Sequence, residues 1–294
     1  MEKQNDKYLG EFKYKINSEH KLLDLHIRET LQYRDLIVLF VKRDFVTHYK
    51  QTILGPLWAI IQPLMTTFVF TIVFGRLAKL TTADIDGAYV LPGFLFYMSG
   101  NICWGFFSST VRRTSNTFLE NRSTMGKVYY PRLVSPIAAA FSNLISFMIQ
   151  FMLLIAFLCY YLIKGGTSLK VTPMILFVPL SVIQIIFLAV GIGIIISSVT
   201  TKYRDMAMLV GFGLDLWRYG CPIAYGLLLV PAKYLSLYLL NPVTLIITTF
   251  RYALFGFGYF VIVPYLISWV ISLSVFFVGL IMFSRIERTF MDTI

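Results

Sequence analysis

Charge is scarce in this sequence. Acidic and basic side chains make up 14% of its 294 residues, against about a quarter in a soluble globular domain, too few to solvate a folded surface in water. Histidine and cysteine number three each. His20, His26 and His48 all precede the first long apolar run, at spacings that make no helical metal pair. Cys103, Cys159 and Cys221 stand singly within or beside apolar runs, with neither metal-ligand spacing nor a disulfide framework, and read as packing residues. Asp84 and Asp86 fall in a short polar loop and read as solvated rather than as an acid–base pair. Gly126-Lys127 is followed by Val128, and Asn121 stands where a phosphate-binding loop needs its first glycine, so no phosphate cradle is expected. The first 35 residues hold no seven-residue apolar core and predict no cleavable signal.

What is present is hydrocarbon. Apolar residues reach 57% and mean hydropathy is +0.72. Apolar blocks run over 53–75, 88–111, 133–163, 174–199, 206–230, 235–260 and 261–283, several of them past the roughly 18 residues that mark a membrane-helix candidate. Alternating ten-residue barrel strands are not visible. The fold class expected is an all-α polytopic membrane protein. The net charge of +11 then reads as basic residues gathered in cytoplasmic loops against anionic lipid, not as a nucleic-acid surface.

Seven blocks leave the topology open, and the basic residues decide it. With six transmembrane helices, and with 206–260 forming one span plus a re-entrant hairpin on the outer side, inner segments carry 19 lysines and arginines and outer segments seven. A seven-span chain puts Arg285 and Arg288 outside, against the positive-inside tendency. Asp215, Arg218 and Arg251 are costly in hydrocarbon, and Pro222, Pro231 and Pro242 interrupt the helical pattern there. The expected organisation is a polar cytoplasmic arm (1–30), an N-terminal interfacial amphipathic helix (31–52), and a transmembrane domain (53–284) with a short tail after it. Spans are expected near 53–75, 88–111, 133–163, 174–199, 206–219 and 261–283, with a re-entrant periplasmic helical hairpin at 220–254 before the last. On a helical wheel Lys42, Arg43 and Lys50 share an arc with Leu39 and Val46, a mixture an interfacial helix tolerates because long cationic side chains reach headgroups. No internal repeat is found, which counts against many secondary-transporter folds.

Two further features bear on function. The loop 112–132 is the longest polar insertion between spans. It is either a plain connector or a short helix around 116–125 that docks on a cytoplasmic partner through Phe118, Leu119 and Arg122. Aromatic residues reach 16%. Phe68, Phe70, Phe74, Tyr97, Trp104 and Phe107 in the first two spans either fill helix contacts or line a channel whose π-faces stack on sugar rings.

The run Arg43-Asp44, Tyr49-Lys50-Gln51-Thr52, Leu54-Gly55-Pro56-Leu57-Trp58, Pro63 and Phe74-Gly75, with Ser115-Asn116-Thr117-Phe118 and Gly126 to Leu133, resembles the permease subunits of ATP-binding-cassette exporters of cell-surface polysaccharides and polyol phosphates. The resemblance covers about 31–290 and is nearest to the O-antigen type, with teichoic-acid and capsule exporters as relatives. It implies a homodimer of six-span permeases in a bacterial inner membrane, both termini cytoplasmic, with two copies of a separate ATPase docked below. ATP and Mg would be bound by that partner, and this chain would bind no cofactor. The implied cargo is a lipid-linked polysaccharide on undecaprenyl pyrophosphate. Carried onto matching positions, Arg43 and Lys50 would attract the pyrophosphate, with Tyr49, Trp58 and Gln62 at the entrance. Gly55-Pro56 would shape the bend, Asn116 and Lys127 would join the ATPase contact, and Arg218 and Arg251 would line the exit. The alternatives are an enzyme acting on lipid-linked sugars, which lacks converging acids and histidines, and an ion-coupled transporter, which lacks buried carboxylates.

Overall fold

A computed structural model describes residues 30, 32–50, 52–78, 91–117, 120–121, 130–164, 173–200, 205–256 and 258–290, without the side chains of Tyr49 and 285–290. Among these residues all regular structure is helical: α1 (Arg34–Tyr49), α2 (Trp58–Phe70), α3 (Gly93–Ser115), α4 (Val134–Lys164), α5 (Phe177–Thr200), α6 (Met206–Tyr219), α7 (Ala232–Leu240), α8 (Pro242–Phe255) and α9 (Ile262–Phe290). The polar arm expected at 1–30 lies, but for Thr30, outside the described residues.

Gly55, at φ +51°, begins the turn between α1 and α2, a left-handed backbone that favours glycine. Pro56 then sits in a 3₁₀ turn, Gly55–Leu57, which leads directly into α2. Pro63 lies inside α2 and is buried; its missing N–H frees the carbonyl one turn earlier. Beyond Phe70 the helix relaxes into π turns over Thr71–Leu77.

Among the described residues four helical stretches are long and apolar enough to cross a membrane: Gly55–Leu77, Val134–Lys164, Pro173–Thr200 and Ile262–Ser284. A fifth is added if α7 and α8, bent by 96°, are one broken span. The helix α3 is 23 residues long but rich in serine, threonine, glycine and asparagine. Its position explains this composition: α3 packs against α2, α4, α5, α6 and α8, and most of its residues are buried, so it presents little surface to lipid. The 14 residues of α6 reach about 21 Å, short of a hydrocarbon core of roughly 30 Å.

Close helix approach rests on small residues, as is common where lipid supplies no hydrophobic drive. A Cβ on Gly191 of α5 would lie 2.7 Å from the Cα of Phe276 in α9, and one on Gly279 of α9 would lie 2.7 Å from the carbonyl oxygen of Gly191. Beside this crossing, the Gln184 amide donates to Ser268 Oγ (2.8 Å) and Ser272 Oγ (3.3 Å), tying α5 to α9 inside the core.

The turn after α6 is held by a buried cation. Arg251 of α8 is 3% exposed. It donates to the carbonyls of Pro222 and Ile223, to Phe96 O (3.1 Å) and to Ser99 Oγ (3.3 Å). Its guanidinium lies 3.8 Å from the centroid of the Phe96 ring. Asn241 caps α8 by accepting from Val243 N at 3.1 Å, and Pro242 takes the first helical position.

Gly191→Val should therefore force α5 and α9 apart. The expected cost is about 1–3 kcal/mol of overpacking, read as a lowered thermal midpoint of the purified chain. Gly105→Ala, whose new Cβ meets nothing within 4 Å, should leave the midpoint unchanged or slightly raised. Equal midpoints for both variants would remove the assigned role of Gly191.

Candidate functional site: a polar cavity among apolar helices

A cavity of about 500 Å³ opens between α1, α2, α3, α4 and α6. Its polar wall comes from helices that are otherwise apolar, and the helical repeat explains how. Trp58, Gln62 and Thr66 recur every fourth residue along α2. On α3, Asn101, Gly105, Ser108 and Arg112 recur at four, three and four; on α4, Ser142, Ser146 and Gln150 recur every fourth residue. Residues three and four apart share a helix face, so each helix turns one polar stripe to the same space. Asp215 and Arg218 of α6, one turn apart, close it.

The charges in the wall are tied down in different ways. Arg112 Nη2 donates to Asp215 Oδ1 at 2.7 Å and to Gly211 O at 3.3 Å, fastening α3 to α6. Arg113 donates to Ser142 Oγ of α4 (3.1 Å) and to Asp44 Oδ2 of α1 (2.9 Å). Asp44 receives a second cation through its other oxygen: Arg43 Nε and Nη2 lie 3.0 and 2.9 Å from Oδ1. Arg43 Nη2 also donates to Asn121 Oδ1 at 3.2 Å, and its guanidinium lies 4.5 Å from the Phe40 ring centroid. One carboxylate thus joins α1 to the end of α3, and through Arg113 to α4. Phe40 anchors the same helix against Tyr130 edge-on, with centroids 5.5 Å apart, and against Val134 and Ala138.

Arg218 is held differently. Its Nη2 donates to Asn101 Oδ1 at 2.7 Å, and its guanidinium lies 4.8 Å from the Phe70 ring centroid. Hydroxyls, amides, cations and the rings of Trp58 and Trp104 offer hydrogen-bonding groups beside faces on which a ring can stack. Asp215 is the only carboxylate among the described lining residues and is engaged by Arg112. Among the described residues no three His, Cys, Asp or Glu side chains gather as a metal site.

The structure brings Trp58, Gln62, Trp104 and Arg218 together on this cavity. It separates the other candidates. Arg43 is turned to Asp44 and Asn121, and Lys50 is exposed beyond the end of α1. Tyr97 and Phe107 are 0% and 1% exposed, so within this chain they fill the core of α3 rather than face a lumen. Phe70 and Phe74 pack against that core, while Phe68 is 56% exposed on another face of α2. Arg251, expected at the exit, holds the turn after α6 from within and faces no opening. Asn116 caps α3, its N–H donating to Arg113 O at 3.3 Å. Phe118, Leu119, Arg122, Lys127 and the Tyr49 side chain lie outside the described residues.

Sequence reading missed the polar stripe itself, in Asn101, Ser108, Ser109, Arg112, Asn143, Ser146 and Gln150. Their recurrence at three and four residues within apolar helices was the available signal.

Residues 35–255 match the family model described as ABC-2 type transporter. Curated relatives include the O-antigen export system permease protein RfbA of Klebsiella pneumoniae, 26% identical over 276 residues, which is 92% of this chain and 99% of that protein. The protein of the same name from Myxococcus xanthus is 25% identical over 232 residues, covering 76% of this chain and 82% of the relative.

Asp44→Asn leaves Arg43 and Arg113 facing each other across a neutral amide. The Asp44 side chain is 13% exposed and its two partners are partly exposed, so the loss should fall between exposed and buried ion pairs, about 1–3 kcal/mol. Spin labels at Thr47 on α1 and Ile137 on α4 should show a broadened distance distribution in the variant. An unchanged distribution would mean that Asp44 does not fasten α1.

Proposed function

The chain belongs to the ABC-2 type transporter family, and we propose that it is the channel-forming permease subunit of an ATP-driven polysaccharide exporter. The cargo is a glycan of the O-antigen type on an undecaprenyl-pyrophosphate carrier, moved from the cytoplasm to the periplasmic side of a bacterial inner membrane. The working unit is a homodimer with two copies of a separate cassette ATPase. Six spans are completed by counting α3 with the four long apolar helices, together with α6, whose 14 residues would cross only with the non-helical turn that follows them; α7 and α8 are left as a re-entrant hairpin and both termini lie in the cytoplasm.

The observation that carries this reading is the polar cavity. The helices α2, α3, α4 and α6 each turn a face bearing serine, asparagine, glutamine, threonine, aspartate or arginine to this space, where hydrocarbon packing alone would favour leucine. A hydroxyl-rich ligand within the membrane explains that composition. The names of the curated relatives, permeases of O-antigen export systems, support the same cargo class. The bond of Arg43 to Asn121 supports an energetic link between α1 and the segment where docking is expected, since Asn121 follows Glu120 in the turn that leaves α3.

The mechanism follows from these contacts. Cargo binding beside α1 and α2 strains the Arg43–Asp44–Arg113 network. Movement of the ATPase-facing loop after α3 reaches the same network through Asn121. Wide, weakly directional contacts from Trp58, Trp104 and the serine stripe then allow the glycan to slide.

Proteoliposomes holding this chain and its cognate ATPase should hydrolyse ATP faster when a lipid-linked glycan is added and should move the glycan across the bilayer. The isolated chain should hydrolyse none. Arg122→Glu should lower recovery of the ATPase with the permease at least tenfold, as charge reversal at a docking surface does. Chemical turnover of the lipid-linked sugar by the isolated chain would replace the transport reading with an enzymatic one.

A further inference from the structure

Three arginines line the cavity, and two have carboxylate partners: Arg112 has Asp215, and Arg113 has Asp44. Among the described residues Arg218 has none within ion-pair distance. Its contacts are a neutral amide oxygen and an aromatic ring, and its Nε is buried without an acceptor. Asp215, one turn back on the same helix, directs Oδ1 to Arg112.

Asn101 completes the corner. It is 8% exposed and lines the cavity. Its Oδ1 accepts from Arg218, and its Nδ2 is buried with no acceptor. Turning the amide over would not help, because it would set an N–H₂ group against a guanidinium that can only donate. Two N–H groups on neighbouring side chains, one of them cationic, therefore lack an acceptor in the same corner. A guanidinium whose neighbouring carboxylate is engaged elsewhere is left short of acceptors, and arginine with a second N–H donor suits the oxygens of phosphate or carboxylate.

We propose that Arg218 and Asn101 form an oxyanion subsite within the cavity, which takes a phosphate or carboxylate group of the ligand. The source is either the pyrophosphate of a lipid carrier or an acidic sugar of the glycan. The choice between these sources rests on the exporter reading; the anion chemistry does not. The subsite moves anion recognition away from Arg43, whose guanidinium is already turned to Asp44.

The test uses the full chain in nanodiscs of zwitterionic lipid. The probes are inorganic pyrophosphate, polyprenyl pyrophosphate, a uronic-acid oligosaccharide and a neutral oligosaccharide of equal length, with binding read by calorimetry and by shift of the thermal midpoint. The anion that binds the wild-type chain should bind Arg218→Gln at least tenfold more weakly and Arg218→Lys with intermediate affinity. Asn101→Leu should weaken it several-fold. The anion should raise the midpoint of the wild type and not that of Arg218→Gln, each measured against its own unliganded value. Loss confined to polyprenyl pyrophosphate identifies the carrier as the source; loss confined to the uronic-acid probe identifies the glycan. Equal affinity of wild type and Arg218→Gln for every anion, or no anion binding by the wild type, would overturn the subsite. Anion binding as described, without glycan movement in proteoliposomes, would overturn the exporter reading and leave the subsite standing.

Discussion

Arg251 is the constraint on which the turn after α6 and its packing on α3 depend. A buried guanidinium is costly: at the centre of a membrane helix the cost is about 2.5–3.5 kcal/mol on insertion scales. A hydrogen bond to a charged group contributes about 1.5–3 kcal/mol. With acceptors in the Phe96, Pro222 and Ile223 carbonyls and Ser99 Oγ, and the Phe96 ring beneath it, the favourable terms outweigh the cost. The cation in turn supplies donors to carbonyls of a non-helical turn, which lack the partners a helix would provide. Gly100 is part of the arrangement, since a Cβ there would collide with the guanidinium. The bent pair α7–α8 is thereby fixed against α3.

Because α3 is surrounded, its sequence is free of the demand to face lipid and is spent on close packing and polarity. One side carries Tyr97, Ile102 and Phe107 into the apolar core; another carries Asn101, Ser108 and Arg112 to the cavity. The cavity's walls thus share their backbone with the core. A change in helix position on one side of α3 must be felt on the other, since packed interiors do not deform continuously. At the far end of α3, Asp44 holds two arginines and joins α1 to this helix. A mostly buried carboxylate shared by two cations is firm enough to position α1. The exposed face of α1 carries Val38, Leu39 and Val46 beside Lys42, a mixture of apolar and cationic side chains without a clean division between faces.

Much of the fold was legible in the sequence, because the hydrocarbon core acts on every residue it touches. Scarce charge and long apolar runs establish a helical membrane protein, and the turn at Gly55-Pro56, the helix after it and the break before Pro242 fall where glycine and proline chemistry puts them. The site was legible only in part. Trp58, Gln62, Trp104 and Arg218 do meet, but counting aromatics could not separate Tyr97 and Phe107, which fill the core, from rings that reach a cavity.

The sequence by itself determined the solvent in which this chain folds, its helical class and the approximate ends of its longest helices. These follow from local composition and backbone chemistry, which do not depend on neighbours. Tertiary structure alone decided which polar residues act together. Arg218 and Arg251 look alike in sequence, each an arginine in an apolar block. One lies among four acceptors and holds a turn, and the other reaches a cavity with a donor to spare. The difference is set by which helices pack around each guanidinium, and that packing joins residues more than a hundred positions apart.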